Sequence, residues 1–173
     1  MVPLGLVGDR RQRAECDEDT VKIIGDGGHA SVLYEMPYPE QGSVIIAVGD
    51  NASRKMAAER DSAIKYGTMI HQSAIISKSA AIGDGTVIMA GAIVQAGARI
   101  GKHVILNTAC SVDHGCIVGD YAHIAPGAHL CGNVEIGEGT LVGVCVGIAP
   151  GCKIPAWSIC KAAKLDIEPC PTK

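Results

Sequence analysis

From Ile70 to Ile154 every sixth residue is a branched aliphatic: Ile70, Ile76, Ile82, Ile88, Val94, Ile100, Leu106, Val112, Val118, Ile124, Leu130, Ile136, Val142, Ile148 and Ile154. A second series, two positions earlier in each hexad, is small or β-branched. It runs from Ala74, Ala80 and Thr86 through Cys110 and Cys116 to Val146 and Cys152. A period of six matches neither a helical face nor a heptad, whereas two apolar residues at spacing two, recurring every six, suit short strands with one buried face. Gly, Asp, Asn and Pro fill the intervening positions, as in Ile82-Gly83-Asp84-Gly85, and let the chain bend after each strand. The pattern predicts a mainly β protein, a parallel β-helix of about five coils in which each unit buries its face by stacking on the next. A sandwich of short strands has no reason to hold one register over so many units.

Ahead of the repeat, residues 1–68 read as a small α/β unit with strand candidates at 2–7, 21–24 and 43–48. Gly25-Asp26-Gly27-Gly28-His29 follows the second of these and is a glycine-rich turn able to cradle a phosphate, or equally a surface loop. Pro37 and Pro39 leave room for little helix after it. The third strand ends in Gly49-Asp50-Asn51, the kind of place where open parallel sheets hold ligands. Ser53 then caps a helix running to about Lys65, with Met56, Ala57, Ala58 and Ile64 facing inward. The repeat occupies 69–156, and 157–173, with Trp157, Pro169 and Pro171, form a capping tail.

Composition narrows the function. Among 173 residues there is no Phe and a single Trp, as expected of narrow coils filled with small side chains. The net charge of -3, with no basic run interleaved with aromatics, argues against nucleic acid as a partner. Arg10, Arg11 and Arg13 follow only a few apolar residues, the reverse of a signal peptide, and no apolar run reaches spanning length, so a cytoplasmic protein without membrane contact is expected. Eight cysteines occur without a CxxC pair, and Cys110, Cys116 and Cys152 lie on the inward series as small hydrophobes.

Five of the six histidines lie in or beside the repeat. His71 and His103 read as polar surface residues. His114, in Ser111-Val112-Asp113-His114-Gly115, stands two residues after an inward aliphatic and next to an acid, and imidazole is the natural group to take a proton from an amine or hydroxyl at neutral pH. His123 lies nine residues on, half of an eighteen-residue coil, so the two point from different faces and share a site only when two copies meet. His123 and His129 share one phase of the hexad; metal ligation by these histidines lacks an acidic partner pattern, and no metal is expected.

Asn107 to His114, Gly119 to Ala128 and Gly132-Asn133-Val134, together with Ile46-Ala47-Val48-Gly49-Asp50-Asn51 and Arg54, resemble the left-handed β-helix acyltransferases, in the group of sialic acid O-acetyltransferases and UDP-4-amino-sugar N-acetyltransferases. The likeness covers nearly the whole chain. It implies a left-handed coil, a homotrimer with sites between subunits, acetyl-CoA as donor, and a nucleotide-linked amino sugar or sialic-type sugar as acceptor. By the same resemblance His114 is the general base, supported by Asp113 and Asn107. His123, Val144 and Ala162 lie toward the donor, and Gly49, with Asp50 and Asn51, toward the acceptor's nucleotide.

Three departures from the family pattern stand out. Gly115 replaces the acid that usually follows the catalytic His. Cys160 to Lys164 replace a glycine-rich coil, and the chain stops at Lys173. The N-terminal domain is short; the reading that needs no internal deletion makes Gly5-Leu6-Val7-Gly8-Asp9 the end of the family's second strand, with the first strand and its glycine turn absent. These departures motivate a non-catalytic structural homologue as a competing expectation, with a metal-dependent hydratase on the same coil as a third.

Overall fold

The computed structural model describes residues 22–25, 28–33, 36, 43–61 and 63–161. From Met69 onward the hexads become two-residue strands that climb three parallel sheets in turn, of six, five and five strands. The first face carries Met69–Ile70, Val87–Ile88, Ile105–Leu106, His123–Ile124, Leu141–Val142 and Ile159–Cys160. The second carries Ile75–Ile76, Ile93–Val94, Ser111–Val112, His129–Leu130 and Gly147–Ile148, and the third Ala81–Ile82, Arg99–Ile100, Ile117–Val118, Glu135–Ile136 and Lys153–Ile154. Neighbours in each sheet are eighteen residues apart, as Ser111 opposite His129 shows. The last strand lies one hexad beyond Ile154, in residues expected to belong to the tail.

Both apolar series of the hexad point inward. Val94, Leu106, Cys110, Val112, Cys116, Ile124 and Leu130 belong to one buried column, and Cys152 packs against it. Each Val, Ile or Leu so buried gains about 1.5–3 kcal/mol over exposure. Thr86 and Thr140, the polar members, meet no penalty because their hydroxyls donate to the carbonyls of Gly101 and Pro155, both at 2.8 Å. Burial pushes the Cys110 thiol up to about 12, consistent with its role as a small hydrophobe.

The corners add a periodicity that hydropathy does not reveal. One residue per corner is left-handed, every six residues from Gly85 to Trp157. Seven of these are glycine, including Gly115, and the others are His103, Ala109, Tyr121, Asn133, Cys145 and Trp157.

The N-terminal part is a small β-α-β unit: β1 (Lys22–Ile24), α1 (Gly28–Leu33) and β2 (Val44–Ile46), followed by α2 (Asn51–Ala58). β1 and β2 pair in parallel. The strand candidate at 21–24 forms β1, and a six-residue helix follows it despite the nearby prolines. Gly25 is required sterically, since a Cβ there would stand 2.6 Å from the Ala47 carbonyl oxygen. The strand expected at 2–7, including the Gly5 to Asp9 alternative, lies outside the described residues, as do Asp26, Gly27 and the segment from Ala162 to Lys173.

α2 also differs from expectation. Asp50, rather than Ser53, is its N-cap, accepting a hydrogen bond from the Ser53 N–H at 2.8 Å, and the helix ends at Ala58 rather than near Lys65. Of its expected inward positions Ala58 is buried, but Met56 is 62% exposed and the helix instead buries Arg54. The unit packs on the outer side of the first face, where Met69, Val87 and Ile105 join Ile23, Ala30, Leu33 and Ile45 in a second core. No described helix is long and apolar enough to cross a membrane.

Candidate active site

His114 stands at the corner between the second and third faces. Its carbonyl accepts from the Asn133 N–H at 2.9 Å, one coil further along, which fixes the backbone. Its imidazole lies against Gly132: a Cβ at that position would be 2.6 Å from both Cε1 and Nε2. Glycine thus makes the seat for the ring, and the residue remains exposed. The Asp113 carboxylate turns to the backbone, accepting from the His114 N–H at 2.7 Å. Gly115 adopts a left-handed φ of +67°, and the Asn133 carboxamide occupies the space that a side chain there would take.

Asn107 and Val144 occupy the opposite corner, between the first and second faces, with Val144 exposed. The Asn107 amide lies 3.1 Å from His123 Nε2, and its carbonyl accepts from the Thr108 N–H. His123 itself is on the outer side of the first face, only 9% exposed beneath the N-terminal unit. Its ring lies edge-on to that of His29, the centroids 5.5 Å apart. Because the Asn107 amide N–H can only donate, Nε2 is the acceptor in that pair. Burial, then the Arg54 charge and His29, push its pKa down to about 4, so it is neutral near pH 7. Burial and Arg54 lower His29 as well. Gly49 has no room for a side chain because His29 Cε1 would be 2.8 Å from its Cβ.

The largest departure from the sequence reading is Arg54. Buried to 1% exposure, it donates to the carbonyls of His103 at 2.8 Å, Val48 at 2.9 Å and Tyr121 at 2.6 Å, and to Asn51 Oδ1 at 2.8 Å. It therefore fastens the loop after β2 to the corner between the third and first faces. Around it His103 is buried rather than on the surface, stacked on Tyr121 with its ring centroid 5.3 Å away and edge-on to Tyr66 at 4.6 Å. Asn51 Nδ2 donates to the Gly139 carbonyl at 3.0 Å and Lys55 pairs with Glu138 at 2.6 Å, so the expected acceptor residues Asp50 and Asn51 both have structural partners. Arg54 stood in the quoted motif without a role. Periodicity alone gives no reason to bury a cation.

Within one chain, then, His29, Gly49, Asn107 and His123 come together, while His114 stands across the second face from them. Ala162 lies outside the described residues. Among the described residues no three His, Cys, Asp or Glu side chains gather around a common point.

No family model matches the sequence. Solved structures do. The acetyltransferase domain of PglB from Neisseria gonorrhoeae is 31% identical, with 83% of this chain and 88% of that chain covered and a TM-score of 0.75. PerB from Caulobacter crescentus, solved with CoA and GDP-perosamine, is 31% identical over 80% of this chain and 84% of its own, also with a TM-score of 0.75. The same PglB domain in complex with acetyl coenzyme A is 33% identical over 78% of this chain and 92% of that one, with a TM-score of 0.65. The six-residue strand step, the parallel three-sided coil and this level of identity over most of both chains place the protein in the hexapeptide-repeat, left-handed β-helix acetyltransferases, in the group that contains PglB and the perosamine N-acetyltransferase PerB.

Proposed function

We propose that the protein transfers the acetyl group of acetyl-CoA to the amino group of a nucleotide-linked amino sugar. The observation that carries this is the seat of His114: an exposed imidazole held against Gly132 and free of the neighbouring carboxylate. PerB is bound to CoA and GDP-perosamine, and the PglB domain to acetyl coenzyme A. These favour an amino sugar over a sialic-type acceptor.

In this reading His114 takes a proton from the amine as its nitrogen adds to the thioester carbonyl. The carbon–sulfur bond then breaks and the proton passes to the leaving thiolate. Asn107 stands near the acceptor, hydrogen-bonded to His123, which lies toward the acetyl group of the donor, with Val144 further along the donor's arm. Gly49, Asp50 and Asn51 stand toward the acceptor's nucleotide. His114 and the Asn107–Val144 corner lie on opposite edges of one face, so a site that uses both is made by two subunits. Closure of that contact around an axis gives the homotrimer.

The test incubates the protein with acetyl-CoA and a panel of GDP- and UDP-linked amino sugars alongside sialic acids, reading products by mass. One amino sugar gains a single acetyl group, and His114→Ala lowers the rate on the order of 100- to 10,000-fold. Unchanged turnover in that variant would sink the role of His114. Acetylation of sialic acid alone would move the acceptor to the other sugar class.

A further inference from the structure

The three faces differ in what covers them. The N-terminal unit lies on the first, where Met69, Val87, Ile105 and His123 are buried. The third is charged: its outward row is Ala81, Arg99, Ile117, Glu135 and Lys153, with Lys153 and Glu135 paired at 2.8 Å. The second has the outward row Ile75, Ile93, Ser111, His129 and Gly147, without a charged carboxylate, Lys or Arg, and Ile75 is 64% exposed.

If each subunit contributes its His114 corner to one neighbour and its Asn107 corner to the other, either the second face or the corner opposite it turns toward the three-fold axis. The opposite corner is occupied, because Arg54, Asn51 and Lys55 of α2 bind Tyr121, Gly139 and Glu138 there. The uncharged second face is left to surround the axis, and symmetry brings three copies of His129 to one height on it.

His129 is prepared for ligation. Its Nδ1 lies 2.8 Å from Ser111 Oγ, the residue opposite it one coil back. With Nδ1–H donating to that hydroxyl, the lone pair of the ring is left on Nε2, as in metal-bound histidines whose other ring N–H is held by a hydrogen bond. One coil further on, Gly147 has open space where a Cβ would stand. We infer that three His129 side chains form a site on the trimer axis for one divalent transition ion of the zinc type, with water completing its tetrahedron. No single chain shows it, since each contributes one ligand.

This inference rests on the trimer proposed above, and its test separates the two. Untagged protein is stripped with chelator, checked by sedimentation and titrated with cobalt(II), followed by its visible absorption and by zinc competition. The expected result is a trimer that takes up one cobalt per three chains, displaced by zinc, with uptake lost in His129→Gln and retained in His114→Ala. Ser111→Ala keeps the trimer and weakens cobalt binding about 10- to 100-fold. A trimer that takes up no cobalt, or uptake undiminished in His129→Gln or Ser111→Ala, overturns the site while leaving the trimer standing. Sedimentation of the unaltered protein as a monomer removes the trimer and the axial site together, while amino-sugar acetylation is judged by its own assay.

Discussion

The ring of His114 rests on Gly132, a residue eighteen positions away that stands one coil above it, and a Cβ at Gly132 would come within 2.6 Å of its Cε1 and Nε2. The proposed base is thus positioned by the absence of a side chain on the next coil. Gly132→Ala displaces the ring rather than any backbone. It is expected to lower kcat on the order of 100-fold with the melting temperature and donor KM little changed, since a misplacement of about 1 Å has that effect on an oriented reaction. Steady-state kinetics with calorimetry check it; full activity would show that the ring needs no seat.

Gly115→Glu places an acid beside His114. The position is left-handed and its Cβ falls on the Asn133 carboxamide, so the change costs about 1–2 kcal/mol for the backbone, plus the displacement of Asn133. Chemical denaturation is expected to show that loss. Asn133→Gly in the same chain is expected to recover part of it, because the obstructing carboxamide is gone.

Arg54→Ala leaves the carbonyls of His103, Val48 and Tyr121 without their donor. At about 1–3 kcal/mol for each buried polar group left unpaired, the attachment of the N-terminal unit is expected to fail while the coil persists. Hydrogen exchange resolves this: amides of 44–58 lose protection and those of 105–148 keep theirs. Arg54→Lys is no rescue, since one ammonium cannot span carbonyls on both units.

His123 supplies the pH dependence. Its folded pKa of about 4 lies below the ordinary value near 6.5, so between these the unfolded chain binds more protons than the folded one. Stability is therefore full above about pH 6.5 and falls as pH drops toward 4, by roughly 3 kcal/mol across the window. His29 and His103 are lowered by the same causes, burial and Arg54, and act in the same direction. Urea midpoints measured from pH 7.5 to 4.5 are expected to slope less steeply in His123→Gln than in the unaltered protein.

The coil was legible in the sequence because its physics is local and repeated. An aliphatic every sixth residue, a small residue two positions earlier and turn formers between them leave few other ways to bury those side chains, and the same ruler placed His114 half a coil from His123. The row gave no warning of the last strand at Ile159–Cys160, where Cys160 stands in the aliphatic phase, nor of the left-handed corner positions, of which six are not glycine. Tertiary structure alone decided that Arg54 is buried, that burial and its charge lower the pKa of His103 and His123 beside it, and that Asp50 rather than Ser53 starts α2. Arg54 is satisfied by carbonyls at 48, 49, 103 and 121, brought together only when the β-α-β unit docks on the first face. A hydrophobic period records which residues leave water. It does not record which distant carbonyls will be waiting for a buried cation.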